Sequence, residues 1–254
     1  MTRLSLTAAA LTVALAASAP AALAGGVGAP SHTIRVATFV PNPPDTVVSR
    51  GGRISGFDPQ LVEAAARTQG LRVAWVRIRP FSRLLTTVAS GGVDMGASAI
   101  TITSARRRTL LFGTPNMATD QAILTRATST VASLADLSGK RVGGVPATTA
   151  QATIQGIPGA VFVPLSGPEA VDAAVAAGAV DAGIGDSSAA SWAAINNRSL
   201  KVAAILDTGQ VAAWTFPRTA AGNRLRITMN RGLAAVRANG TYRTILRRWG
   251  VAAP

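Results

Sequence analysis

The chain has 254 residues, a net charge of +14 and no cysteine. Without thiols it has no disulfide framework, no zinc–thiolate centre, no thiol nucleophile and no lipidated cysteine. The charge invites a nucleic-acid reading, but rings to stack bases are few and the arginines are scattered apart from Arg106-Arg107-Arg108 and Arg247-Arg248. Attraction to anionic lipid or acidic partners is expected instead, with no nucleic-acid partner.

In chain order, Met1-Thr2-Arg3 is a short positive segment, residues 4–17 are an uncharged apolar run, and Ala22-Leu23-Ala24 is a small-x-small site. The run falls short of the roughly 20 residues a bilayer needs. Residues 1–24 therefore read as a secretory signal peptide cleaved after Ala24, which predicts a periplasmic protein. Strand and helix signals then alternate. Residues 33–38 read as a strand. Asp58-Pro59 opens a helix as cap and first position, with Leu61, Val62, Ala65 and Ala66 as its stripe and Gly70 as its stop. A strand over 71–78, a helix over 81–90 and a strand over 94–99 complete a βαβαβ pattern.

The alternation resumes with strands over 141–145, 160–164, 181–184 and 201–206 and helices over 148–154, 169–177 and 188–195. Two further helices, over 223–239 and 241–249, have no strands of their own and must dock on a lobe. The expected fold class is α/β in two lobes, each a mixed, mostly parallel sheet flanked by helices. Lobe one spans 25–119 plus 215–254 and lobe two spans 120–214. Crossing segments at about 118–124 and 209–216 form a two-strand hinge beside a cleft.

The stretch over 98–108, SAITITSARRR, carries the strongest chemical signal. With Thr103 as cap, Arg106 stands at the third helical position, where a cation opposes the helix dipole. A local rule broken in this way marks a site, and an anion there would meet backbone N–H groups, the Thr101 hydroxyl and a two-pronged guanidinium. Arg107 and Arg108 are assigned to a solvated face. Thr148 and Thr149 follow a strand, where hydroxyls can face a ligand or merely cap a helix. Asp186 follows another strand; it is either a helix cap or a carboxylate for an ammonium. Arg106 and Asp186 fall on opposite lobes, so an α-amino acid could bridge them. Phe81, behind Pro80, is either a cleft wall or a core staple.

These pieces together resemble the family 3 polar amino-acid periplasmic binding proteins, with the type II fold. The match runs over about 33–250 and includes Ile34-Arg35-Val36-Ala37-Thr38, Gly56-Phe57-Asp58, Gly92-Val93-Asp94, Ile100-Thr101-Ile102-Thr103 with Arg106, Val180-Asp181-Ala182 with Asp186, and Asn239-Gly240-Thr241-Tyr242. The resemblance implies that Arg106 binds the ligand carboxylate, assisted by Ser98, Ala99, Thr101, Thr148 and Thr149. It implies that Asp186 takes the α-amino group and that Phe81 stacks on the side chain. At the first loop the chain departs from the pattern: Phe39 stands at an acid position and Asn42 at an aromatic one, which favours a neutral side chain unless Asp45 swings inward. A small amino acid as ligand, an inner-membrane ABC permease as partner, a monomeric state and no cofactor or metal follow as expectations. The alternatives are a dehydratase-like enzyme on the same fold, for which His32, Glu63 and Glu169 offer little acid–base chemistry and Asp186 is the main candidate, and a sensory ligand-binding subunit.

Overall fold

The computed structural model describes residues 32–254; the signal segment expected over 1–24 lies outside them. In chain order the first elements are β1 (His32–Phe39), β2 (Val47–Val48), β3 (Ile54–Ser55), α1 (Phe57–Thr68), β4 (Leu71–Ile78), α2 (Phe81–Ala89), β5 (Met95–Gly96), α3 (Ser104–Arg107), β6 (Leu110–Phe112) and β7 (Met117–Ala118). There follow β8 (Gln121–Arg126), β9 (Arg141–Gly144), α4 (Thr149–Gln155), β10 (Val161–Pro164), α5 (Pro168–Ala176), β11 (Ala182–Asp186), α6 (Ser187–Asn196) and β12 (Leu200–Leu206). The chain ends with β13 (Val211–Ala212), β14 (Thr215–Pro217), α7 (Ala220–Ala238) and α8 (Thr241–Trp249).

Two five-stranded sheets form, in the orders β4-β1-β5-β14-β6 and β10-β9-β11-β8-β12. Helical crossovers return the chain parallel, so β1 runs parallel to β4 and β5, and β9 to β10 and β11. Each sheet has one reversed strand: β14 is antiparallel to β5 and β6, and β8 to β11 and β12. These two strands enter directly from the opposite lobe, with no helix to turn them round. Just before them, β7 and β13 pair antiparallel, Met117 opposite Ala212, and bind the two linking segments side by side. The fold is thus α/β and two-lobed.

Lobe one packs Leu61, Val62, Ala65 and Ala66 of α1 against Met229, Leu233 and Val236 of α7 and Ile245 and Leu246 of α8. This contact answers where the two terminal helices dock. The helices meet closely at Gly232, where a Cβ would lie 2.5 Å from the Ala65 carbonyl oxygen. In lobe two, Ile123, Val142, Ile154, Ala182 and Ile184 form the matching core.

The structure revises several local expectations. Helix α1 begins at Phe57 behind Gly56, so Asp58 is not its cap; its carboxylate instead accepts the Ala99 N–H at 2.7 Å. The strand expected over 94–99 shrinks to Met95–Gly96. It ends early because Ser98 Oγ accepts the Phe39 N–H at 3.2 Å and Ala99 turns the backbone to φ 46°. Helix α7 starts earlier than 223 because Thr219 Oγ1 accepts the Gly222 N–H at 3.0 Å and caps it. The β2–β3 hairpin and β6 are additions to the elements read from sequence.

Gly232→Val is expected to wedge α7 away from α1 and cost about 1–3 kcal/mol, in the range of other overpacked cores. Thermal unfolding would register this as a loss of roughly 2–4 °C per kcal/mol.

Candidate ligand-binding cleft

A cavity of about 720 Å³, including its open mouth, lies between the lobes. Lobe one supplies Phe39, Asn42, Phe81, Ser98, Ala99, Thr101 and Arg106; lobe two supplies Val145, Thr148, Thr149, Asp172, Asp186 and others. The ten residues expected from the sequence to contact ligand therefore line one space, at strand ends and the loops and helix starts that follow them, where open α/β sheets bind ligands.

Thr103 caps α3 by accepting the Arg106 N–H at 3.2 Å, which fixes where the arginine leaves the backbone. Its guanidinium donates to the Thr101 carbonyl at 2.8 Å and, across the cleft, to the Ala147 carbonyl at 3.1 Å. Its carbon lies 5.2 Å from the centre of the Phe81 ring. Phe81 in turn meets Phe39 edge-on at 5.8 Å, and Arg79 lies 5.7 Å from the Phe39 ring centre. Phe81 is thus both core and cleft wall. The hydrogen-bond acceptors of Arg106 are neutral carbonyls, so among the described residues no carboxylate pairs with it directly. Burial lowers its pKa from the ordinary arginine value, and the charge of Asp186 pulls the other way.

Asp186 ends β11 and occupies the cap position of α6, yet its side chain makes no capping hydrogen bond. Burial pushes its carboxyl up to about 7 against the opposing pull of Arg106. The two groups feel each other's charge while neither hydrogen-bonds the other among the described residues. Thr148 also leaves its helix uncapped: its hydroxyl donates to the Val145 carbonyl at 2.6 Å. Two non-glycine residues have positive φ here, Ala99 at 46° in the cavity lining and Ala147 at 64°, whose carbonyl accepts from Arg106. Such backbone is disfavoured for L-residues and concentrates at functional sites. Ala99 is tied by Asp58, and the Ala147 N–H donates to Gln151 Oε1 at 2.8 Å.

Sequence reasoning missed one acid of the lining. Asp172 shares a face of α5 with Pro168 and Val171, and burial, then Glu169, pushes its carboxyl up to about 7. Its signal was an acid among the apolar positions of a helix. Asp45 does not line the cavity: it is 0% exposed and both its carboxylate oxygens lack hydrogen-bond partners. Burial first, then Asp58 and Asp186, raises its carboxyl well above the ordinary value. Asp58 rises to about 6 through burial, partly offset by the Ala99 N–H. Among the described residues no His/Asp/Glu cluster is suited to a metal ion, and no helix is long and apolar enough to cross a membrane.

Two α/β lobes joined by paired strands, with a cation on one wall of the intervening cleft and an acid on the other, define a two-lobed solute-binding protein. Residues 34–252 match the model of the bacterial extracellular solute-binding proteins, family 3, and the chain belongs to that family. It is 25% identical over 219 residues to a probable histidine-binding protein of Campylobacter jejuni, covering 85% of this chain and 84% of the relative. It is 26% identical over 223 residues to a putative ABC transporter arginine-binding protein of Escherichia coli, covering 86% and 91%. Among solved structures it resembles an ancestral arginine-binding protein bound to arginine, with a TM-score of 0.80, 25% identity and coverage of 85% and 97%.

The buried Asp45 gives a stability test. Well below pH 4 its carboxyl is neutral folded and unfolded alike; as pH rises, the unfolded form ionises first and the folded state loses stability. Asp45→Asn removes that slope. Denaturant unfolding is expected to show the variant gaining on the parent as pH rises above about 4, by roughly 1.4 kcal/mol per unit by which the folded carboxyl is raised; parallel pH profiles would contradict the assignment.

Proposed function

We propose that this chain is the exported periplasmic receptor of an ABC importer and that its cleft takes a small α-amino acid. The carrying observation is that Arg106 and Asp186 face a common cavity from opposite lobes without pairing. The ligand carboxylate meets Arg106 with the Thr101 hydroxyl, the backbone at Ser98 and Ala99, and Thr148 and Thr149 from the far wall. The ligand ammonium meets Asp186. A zwitterion satisfies both walls only when they are close, so binding favours closure. In this reading lobe one is 25–119 with 215–254, lobe two is 120–214, and the hinge lies at about 118–124 and 209–216. The receptor is a monomer that follows cleavage after Ala24 and delivers ligand to an inner-membrane permease.

Relatives named as histidine- and arginine-binding support an amino acid as the ligand class. The side-chain end favours a neutral group. Phe39 and Asn42 stand at that end in this reading, Arg79 covers the Phe39 ring, and the Asp172 carboxyl of the cavity lining is pushed up to about 7.

A thermal-shift screen across the amino acids tests this. A ligand at 100 times its Kd should add about 2.7 kcal/mol. Arg106→Ala is expected to cut the shift to about a third or less with the fold intact, since stripping one partner from a buried charge contact costs about 2–5 kcal/mol, or roughly 30- to 4,000-fold in affinity. An unchanged shift removes Arg106 from the site, and turnover of prephenate or arogenate by the protein would favour the enzyme reading instead.

The raised carboxyl of Asp186 sets a second outcome. At pH 6 binding an ammonium must first expel a proton, whereas at pH 8 the carboxylate is ready. For a ligand with a neutral side chain, affinity should rise about tenfold from pH 6 to pH 8 around a value near 7. Calorimetry on Asp186→Asn should show weak binding with that pH dependence gone.

A further inference from the structure

We infer that the outer face of α7 and α8 is a docking surface for an anionic phospholipid bilayer. From Thr208 to the end the chain holds eight arginines and no aspartate or glutamate. Helix α7 turns Met229, Gly232, Leu233 and Val236 inward and presents Arg224, Ile227 and Arg231 outward, with Ile227 41% exposed. Helix α8 turns Tyr242, Ile245 and Leu246 inward and leaves Arg243, Arg247 and Arg248 exposed along one depression, beside the hydroxyls of Thr241 and Thr244.

Among the described residues these arginines hydrogen-bond to carbonyl and amide oxygens and to no carboxylate. Of the acids expected in lobe one, Asp45 and Asp58 are buried, Glu63 accepts the Trp75 Nε1–H at 2.9 Å, and Asp94 accepts the Arg35 N–H at 2.7 Å. Arg248 finds only the amide oxygen of Gln60, at 3.4 Å. At the other end Arg218 donates to the Arg107 carbonyl at 2.9 Å, which brings exposed Arg107 and Arg108 near the start of α7.

The nineteen residues of α7 alone run about 28 Å, so the charge is spread over a broad face rather than focused on one pocket. Guanidinium groups grip phosphate with paired hydrogen bonds, and an exposed isoleucine between two of them suits a headgroup layer. Few aromatic rings are present to stack nucleic-acid bases.

The test is co-sedimentation of the mature chain with vesicles of phosphatidylglycerol and phosphatidylcholine, against phosphatidylcholine alone. Binding is expected only with the anionic lipid and should weaken with salt. Arg224→Gln/Arg231→Gln and Arg243→Gln/Arg247→Gln should each lower partitioning about 25-fold, near fivefold per arginine withdrawn. Arg141→Gln/Arg198→Gln, on exposed positions of lobe two, should leave it within about twofold of the parent. Equal loss in that control pair, equal binding to phosphatidylcholine, or capture by poly-glutamate without vesicle binding would overturn the proposal, the last in favour of an acidic protein. Arg106→Ala should still bind vesicles, so failure of the cleft reading and failure of this one are separable.

Discussion

A guanidinium and a carboxylate inside one apolar cavity, close enough to sense each other but not paired, form an unfavourable arrangement for an empty protein. Each charge has left water, and neither has the partner that would offset the loss. Arg106 rests on two backbone carbonyls and an aromatic face, and Asp186 has forgone even the capping bond its position offers. The raised carboxyl of Asp186 expresses that tension in protonation. Most of the other features of the cleft follow from holding these two groups in this relation.

The holding is done largely by backbone. Asp58 fixes Ala99, Gln151 fixes Ala147, and Thr103 sets the exit of Arg106. The two left-handed alanines aim carbonyls and N–H groups where regular strand or helix would withdraw them. Because the Ala147 carbonyl belongs to lobe two and accepts from Arg106 of lobe one, the guanidinium is already part of the contact between lobes. So is Arg79, whose guanidinium approaches the Ser166 carbonyl at 3.5 Å beside Phe39.

Much of this was legible in the residues. The stripe Leu61, Val62, Ala65 and Ala66 gave α1, and a triple arginine in a first helical turn pointed to Arg106 because local electrostatics argue against it. The two crossing segments were visible as strand-like runs between alternating units. What escaped depends on three-dimensional packing. Asp58 looks like a cap from its place before a proline, and only the approach of Ala99 reveals its other use. A two-residue hairpin at Val47–Val48 and Ile54–Ser55 is too short to show alternation. Asp45 and Asp172 are ordinary acids in sequence; burial by distant elements makes them unusual.

The lobes also touch through tryptophan. Trp192 of α6 and Trp249 of α8 stand with ring centres 6.2 Å apart at 36°. At that spacing the electronic transitions of two indoles couple, and the coupling falls off steeply with separation. A hinge motion that separates these two rings is therefore expected to change their circular dichroism, an intrinsic gauge of opening that needs no attached dye.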